Sequence, residues 1–213
     1  VEANARLYIK EIRDQFNREQ LNEWEKATLG TGRLFAFDHF GSVSNDEILG
    51  RVRYMARALD CKWIMLDHLS ILVSGQEDFG DERKSIDILM TKLRSLVEET
   101  GIGLLLVSHL RRRGGDKGFE EGKEVTLSHL RGSASIGHLS DCVIALERNQ
   151  QSEDETEANT TSIRILKNRY TGDTGVAAHL YYDKDTGRMT SIENPFDPER
   201  QTGENENDIP FEV

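Results

Sequence analysis

The chain has 213 residues, 37% hydrophobic and 31% charged, enough to bury one core of ordinary domain size. Its longest apolar run, IGLLLV at 102–107, is far too short to span a bilayer, and no charged-then-apolar leader opens the chain. Cys61 and Cys142 lack CxxC spacing, which argues against a disulfide framework or a zinc site, and the net charge of -11 speaks against a nucleic-acid binder as a whole.

That global charge hides an uneven distribution. Acid is concentrated at 153–157 (EDETE) and from Glu193 onward, whereas 110–123 carries Arg111, Arg112, Arg113, Lys117 and Lys123.

In chain order, Leu7, Ile9, Ile12, Phe16, Leu21 and Trp24 give residues 3–28 a mostly helical spacing, closed by Gly30 and Gly32. RLFAFD (33–38) reads as a short strand. Ser44 with Glu47 three residues on forms a capping box for a helix reaching about Leu59, with Ile48, Leu49, Val52, Met55 and Ala56 on one face. WIMLD (63–67) is continuous rather than alternating, the pattern of a strand buried on both faces of a parallel sheet. Asp81 opens a second long helix, with Ile86, Leu89, Met90, Leu93, Leu96 and Val97 at helical spacing and Gly101 as its stop.

IGLLLVSH is the next buried strand. After the basic loop come a helical patch near 127–140, the strand CVIALE (142–147) and an acidic loop. TSIRILKNR and AAHLYYD flank a TGDTG turn, and DKDTG (183–187) turns into a final short strand. The alternation of strand and helix predicts an α/β fold with a mostly parallel sheet over 1–193, and the polar stretch 194–213 predicts a disordered acidic tail.

In such sheets ligands bind beyond the carboxyl ends of the strands, so polar residues ending buried strands are the first candidates. Asp67 ends WIMLD, His109 ends LLLVSH, and Glu147 with Arg148 ends CVIALE. An acid closing an apolar strand is what a Walker B element needs to hold Mg²⁺ beside phosphates. On its own, Asp67 could equally be a helix cap, Ser108 and His109 a hydrogen-bonded strand end, and Lys167 with Arg169 a solvated strand face.

Five separated motifs weigh on that choice: WIMLDHLS, VSHL, LRGSASI, ALERNQQ and ILKNRYTGDTG. From about Gly32 to Ile192 they stand in the order found in the helicase half of phage primase-helicases, which the chain resembles, and more distantly it resembles the DnaB and Twinkle helicases. The histidine in VSHL points to the phage and Twinkle branch. The resemblance implies a RecA-like fold, a homo-hexameric ring on single-stranded DNA, and ATP or dTTP with Mg²⁺ bound between subunits. It makes Asp67 the Mg²⁺-linked acid, His109 the γ-phosphate sensor, Arg169 an arginine finger acting in the neighbouring site, and Lys167 a second phosphate contact. Arg148 and Tyr182 match the residues that stack on the nucleotide base. Arg111, Arg112, Arg113 and Lys117, with Arg131, Gly132 and Ser133, match the DNA-gripping loops of the central channel.

The sequence departs from that pattern in two places. Gly137 stands where the phage-type motif usually has arginine, and no GxxxxGK[ST] occurs anywhere. GFEEGKE (118–124) has too few residues between its glycines, and the DFG at 78–80 comes without a kinase catalytic loop. The chain is therefore expected to be the C-terminal part of a motor domain, inactive by itself because it lacks a phosphate cradle and a water-activating base. The ending NENDIPFEV is expected to dock a replicative polymerase or another replisome protein, with a solubilising tail as the alternative. The resemblance implies 5′ to 3′ unwinding in the cytoplasm of a bacterial or phage-infected cell, with a mitochondrial setting left open. Against it stands an inactive RecA-fold remnant that binds DNA or a ring partner.

Overall fold

The computed structural model describes residues 17–37, 44–70, 82–111, 118–131 and 134–196. The expectations placed on 1–16, Asp38, Asp81, the DFG at 78–80, Arg112, Arg113, Lys117, Gly132, Ser133 and the tail beyond 196 lie outside the described residues.

Helix α1 (Arg18–Thr28) opens on a reciprocal cap. The Gln20 amide donates to Asn17 Oδ1 at 2.8 Å, and the Asn17 amide donates to Gln20 Oε1 at 3.1 Å. Helix α2 (Asn45–Arg57) uses Ser44 as predicted, since the Glu47 amide donates to Ser44 Oγ at 3.2 Å. Only half of the expected box forms, because the Glu47 carboxylate is taken by Arg51 one turn on. The strand expected at RLFAFD is not found over 34–37. That segment has no strand to pair with among the described residues, and it lines an apolar groove of about 630 Å³ against α2 instead.

Strand β1 (Trp63–Leu66) and strand β2 (Gly103–Leu106) pair in parallel, Trp63 opposite Gly103 through Leu66 opposite Leu106, with helix α3 (Glu82–Thr100) between them in sequence. Inward residues Ile64, Leu66, Leu104 and Leu106 pack on Ile48, Leu49 and Val52 of α2 and on Ile86, Leu89, Leu93 and Leu96 of α3. The other face is open: Trp63 is 71%, Met65 63% and Leu105 53% exposed. WIML is therefore buried on one face, not two. A continuous apolar run reports what both faces can tolerate, not which of them is covered.

Helix α4 (Ala134–Leu139) follows a single 3₁₀ turn (Leu127–His129), and together they account for the helical patch expected near 127–140. Strands β3 (Cys142–Glu147), β4 (Thr160–Asn168), β5 (Gly175–Tyr182) and β6 (Met189–Ile192) form an antiparallel sheet in that order. The expected hairpin is thus the middle of a larger antiparallel layer that also claims CVIALE. The acidic loop at 153–157 contains a short helix, α5 (Glu155–Asn159). Asp154 caps it, its carboxylate accepting the Glu157 amide at 2.8 Å, and acid in a first turn suits the helix dipole. Phe196, assigned to the tail, sits edge-on to His179 with ring centroids 5.5 Å apart.

Candidate functional site

The parallel pairing continues past the strands through the backbone. The Val107 amide donates to Leu66 O at 3.0 Å, and the Leu69 amide donates to Val107 O at 2.9 Å. These bonds place Asp67 and His68 beside Ser108 and His109, at the carboxyl ends where ligands bind in open α/β sheets. Asp67 is exposed, and the peptide bond between it and His68 is cis. The His68 and His109 rings meet edge to face, with centroids 4.0 Å apart at 69°. His68 Nδ1 is buried and has no hydrogen-bond partner among the described residues.

His109 is also tied to both basic loops. Its carbonyl accepts the Arg131 amide at 2.9 Å, the Arg111 amide donates to His129 O at 2.7 Å, and Leu110 and Leu130 form an antiparallel bridge between these bonds. On the far side of the first loop, Glu121 bridges to Asn149, and the Gln150 amide donates to Glu120 O at 2.9 Å. Glu147, a strand-end candidate by sequence, serves this anchoring. Its carboxylate accepts the Val125 amide at 2.7 Å and Arg164 Nε at 2.9 Å, and Arg164 also pairs with Glu124. The described residues on either side of 112–117 are therefore each tied to the body, Arg111 through His129 and Glu120 with Glu121 through Asn149 and Gln150.

Lys167 and Arg169, on and just after β4, converge on the C-terminus of α4. Lys167 Nζ donates to the carbonyls of Gly137, His138 and Ser140 at 2.8, 3.1 and 2.8 Å. These are groups a helix end leaves unpaired, and a cation there also suits the dipole. Arg169 Nη2 donates to His138 O at 3.0 Å, and Nη1 lies 3.1 Å from Asp141 Oδ1, with the side chain about half exposed. Gly137 is buried beneath this cluster, and an added Cβ would meet only Leu127 and Leu130 side chains at ordinary contact distance.

Arg148 and Tyr182 approach the end of α5. Arg148 Nε donates to Ala158 O at 2.6 Å and Nη2 to Asn159 Oδ1 at 3.2 Å. Tyr182 follows the Thr160–Tyr181 pair in register, which puts it level with Asn159. Both side chains are half-buried.

Sequence reasoning missed His68, Asp141 and Arg164, the partner of Glu147. The signals available were a second imidazole adjoining the strand-end acid and an aspartate immediately before the apolar run CVIALE. Among the described residues no group of histidine, cysteine and carboxylate side chains could by itself hold a metal ion, and no helix is long and apolar enough to cross a membrane.

The fold, an α/β body with parallel strands whose carboxyl ends carry Asp67 and His109, is RecA-like, and two solved structures share it. One is a DnaB-like replicative helicase described with its interactions with primase, at TM-score 0.65 and 22% identity, covering 90% of this chain and 46% of that one. The other is a KaiC-like protein of Pyrococcus horikoshii, at TM-score 0.56 and 12% identity, covering 83% and 71%. Residues 1–191 match the model of the DnaB-like helicase C-terminal domain, and the chain belongs to that family.

Among curated relatives, the DNA helicase/primase of Enterobacteria phage T3 is 42% identical over 168 residues, which span 79% of this chain and 29% of that protein. The replicative DNA helicase DnaC of Bacillus subtilis is 25% identical over 182 residues, 82% of this chain and 38% of that protein.

Proposed function

We propose that this chain is part of the motor of a replicative DNA helicase that hydrolyses ATP or dTTP with Mg²⁺, encircles single-stranded DNA as a homo-hexamer and moves 5′ to 3′. The observation that carries the reading is the antiparallel bridge between Leu110 and Leu130. It joins the carbonyl of the sensor candidate His109 to the base of both basic loops, so a displacement at the nucleotide would reach the DNA-gripping segments through backbone hydrogen bonds. Family membership and the shared fold support it.

In this reading Asp67 holds Mg²⁺ through water. An exposed carboxylate at a strand end, with no metal-holding group of side chains around it among the described residues, fits an ion that keeps most of its hydration, and the ion would neutralise charge on the phosphates. Arg169 is the finger, turned toward a neighbouring subunit's nucleotide. The resemblance implies a second phosphate contact for Lys167, but its three carbonyl bonds favour a supporting role in which it fixes the α4 end on which Arg169 rests. Arg148 and Tyr182 face the base, and Arg111, Arg112, Arg113, Lys117, Arg131, Gly132 and Ser133 grip the DNA backbone without reading sequence. The acidic tail docks a replicative polymerase or other replisome protein, and the motor works in the cytoplasm.

Complementation tests the reading. In the full-length polypeptide, Asp67→Ala and Arg169→Ala each abolish DNA-stimulated hydrolysis, and mixing the two mutants restores part of it, since some interfaces then pair an intact acid with an intact finger. Hydrolysis indifferent to either change would sink the assignment. An inactive DNA-binding remnant is the competing reading, favoured by the missing GxxxxGK[ST], and it predicts DNA binding without turnover in that same polypeptide.

A further inference from the structure

We propose that His68 is a positioning residue for His109, the link through which occupancy of the nucleotide site sets the orientation of the sensor imidazole. The inference rests on the functional reading above and extends it to a side chain outside the five motif roles.

Three observations carry it. First, the His68 backbone is fixed on both sides. Leu66 O accepts the Val107 amide, the Leu69 amide is bonded to Val107 O, and Leu69 is almost wholly buried in the core. The backbone is thus anchored between Asp67 and the His109 strand, which leaves the ring torsion as the movable part. Second, the His68 ring packs edge to face on His109, so any rotation of one imidazole displaces the other. Third, His68 Nδ1 is buried without a partner among the described residues. A buried polar atom in that state asks for an explanation, because an apolar side chain would fill the same space without an unsatisfied nitrogen. The explanation offered here is that Nδ1 acquires its partner when triphosphate binds beside Asp67, from a phosphate oxygen or from water ordered by it. His68 then locks, His109 is held against its edge, and the His109 carbonyl bond to Arg131 transmits the arrangement to the DNA loops.

Shape and hydrogen bonding can be separated at position 68. Asparagine places a polar atom near the position of Nδ1 but removes the ring, whereas phenylalanine keeps the ring and removes the nitrogen. In the full-length polypeptide, affinity for a fluorescein-labelled oligothymidylate is measured with and without the β,γ-imido analogue of ATP and Mg²⁺, and the ratio of the two affinities is the readout.

His68→Ala and His68→Phe should each lower that ratio about tenfold, and His68→Asn should keep a substantial part of it. Combining His68→Ala with His109→Ala should add nothing to His109→Ala alone, as expected of residues acting in series. Rescue by phenylalanine but not asparagine would reduce His68 to a packing element and overturn the proposal, and so would additive losses in the double mutant. If His109→Ala itself left the ratio unchanged, the sensor reading would fall and this inference with it, a result distinct from failure at His68 alone.

Discussion

Asp141 holds Arg169. Its Oδ1 lies 3.1 Å from Arg169 Nη1, while Oδ2 accepts a 2.6 Å hydrogen bond from Nη1 of Arg94 on α3. One carboxylate thereby connects the residue proposed to act on a neighbour's nucleotide to the helix that contributes the largest share of the core. Arg94 is in turn held more firmly protonated, chiefly by its hydrogen bond to Asp141.

Replacing that carboxylate by an amide removes the charge and keeps the size. Asp141→Asn in the assembled motor should lower kcat by about tenfold to a hundredfold with little change in KM, because a finger out of position stabilises the transition state poorly while substrate binding persists. The fold should lose no more than about 1 kcal/mol, since both arginines remain partly solvated. Equal loss of activity and thermal stability, or an unchanged kcat, would show that Asp141 does not position the guanidinium.

The 213-residue chain purified by itself should not hydrolyse ATP or dTTP. The sequence contains no phosphate-cradling GxxxxGK[ST], so the backbone N–H groups and lysine that would hold the β- and γ-phosphates are missing from these 213 residues. Phosphate release should match that of its Asp67→Ala variant, at any concentration of single-stranded DNA. Turnover above that control, surviving a second purification step, would contradict the expectation.

How much of this was legible beforehand depends on the range of the forces involved. Helices α2 and α3 announce themselves because Ile48, Leu49 and Val52, and Ile86, Leu89, Leu93 and Leu96, recur at the helical period, and all are buried. Asp67 and His109 stand at parallel strand ends as their sequence context suggested. Pairing was less legible. Nothing local in CVIALE says that β3 joins β4 antiparallel, because that choice belongs to a partner strand some twenty residues away. Nor does local pattern show that Lys167 and Arg169 turn toward the end of α4, a contact made across the chain and visible only once both elements are placed.

Stability should fall in two steps as pH is lowered. Burial holds the His179 imidazole below its ordinary value of 6.5; its neighbours are the Ser162 hydroxyl, 3.0 Å from Nδ1, and the Phe196 ring. Because the unfolded chain binds this proton more readily, the contribution is complete above 6.5 and is lost as pH falls through the lower folded-state value. Further down, three carboxylates held below their ordinary values lose theirs: Asp183 through hydrogen bonds from Thr186 and Asp185, Asp46 through Lys92, and Glu99 through Arg53. The melting temperature should begin to decline as pH falls below 6.5, and His179→Gln, which retains a hydrogen-bonding partner for Ser162, should flatten that first step alone. A first step of unchanged slope in the variant would remove His179 as its cause.

The open face of the parallel pair allows a sharper test of packing. Trp63 lies opposite Gly103, and a Cβ built on Gly103 would come within 2.2 Å of the indole. Alanine at 103 must therefore push the ring aside, although Trp63 is 71% exposed and has solvent to move into. Gly103→Ala should destabilise by about 1 kcal/mol, the scale of modest overpacking. In a Trp63→Thr background the clash disappears, and the same change should become neutral or stabilising by up to about 1 kcal/mol, because alanine is less costly than glycine to order in a strand. Trp63→Thr also thins the apolar patch shared with Met65 and Leu105 and should reduce self-association seen by light scattering. Urea denaturation of the parent chain and the three variants gives the coupling directly, and identical effects of Gly103→Ala in both backgrounds would mean that the indole does not lie across the glycine.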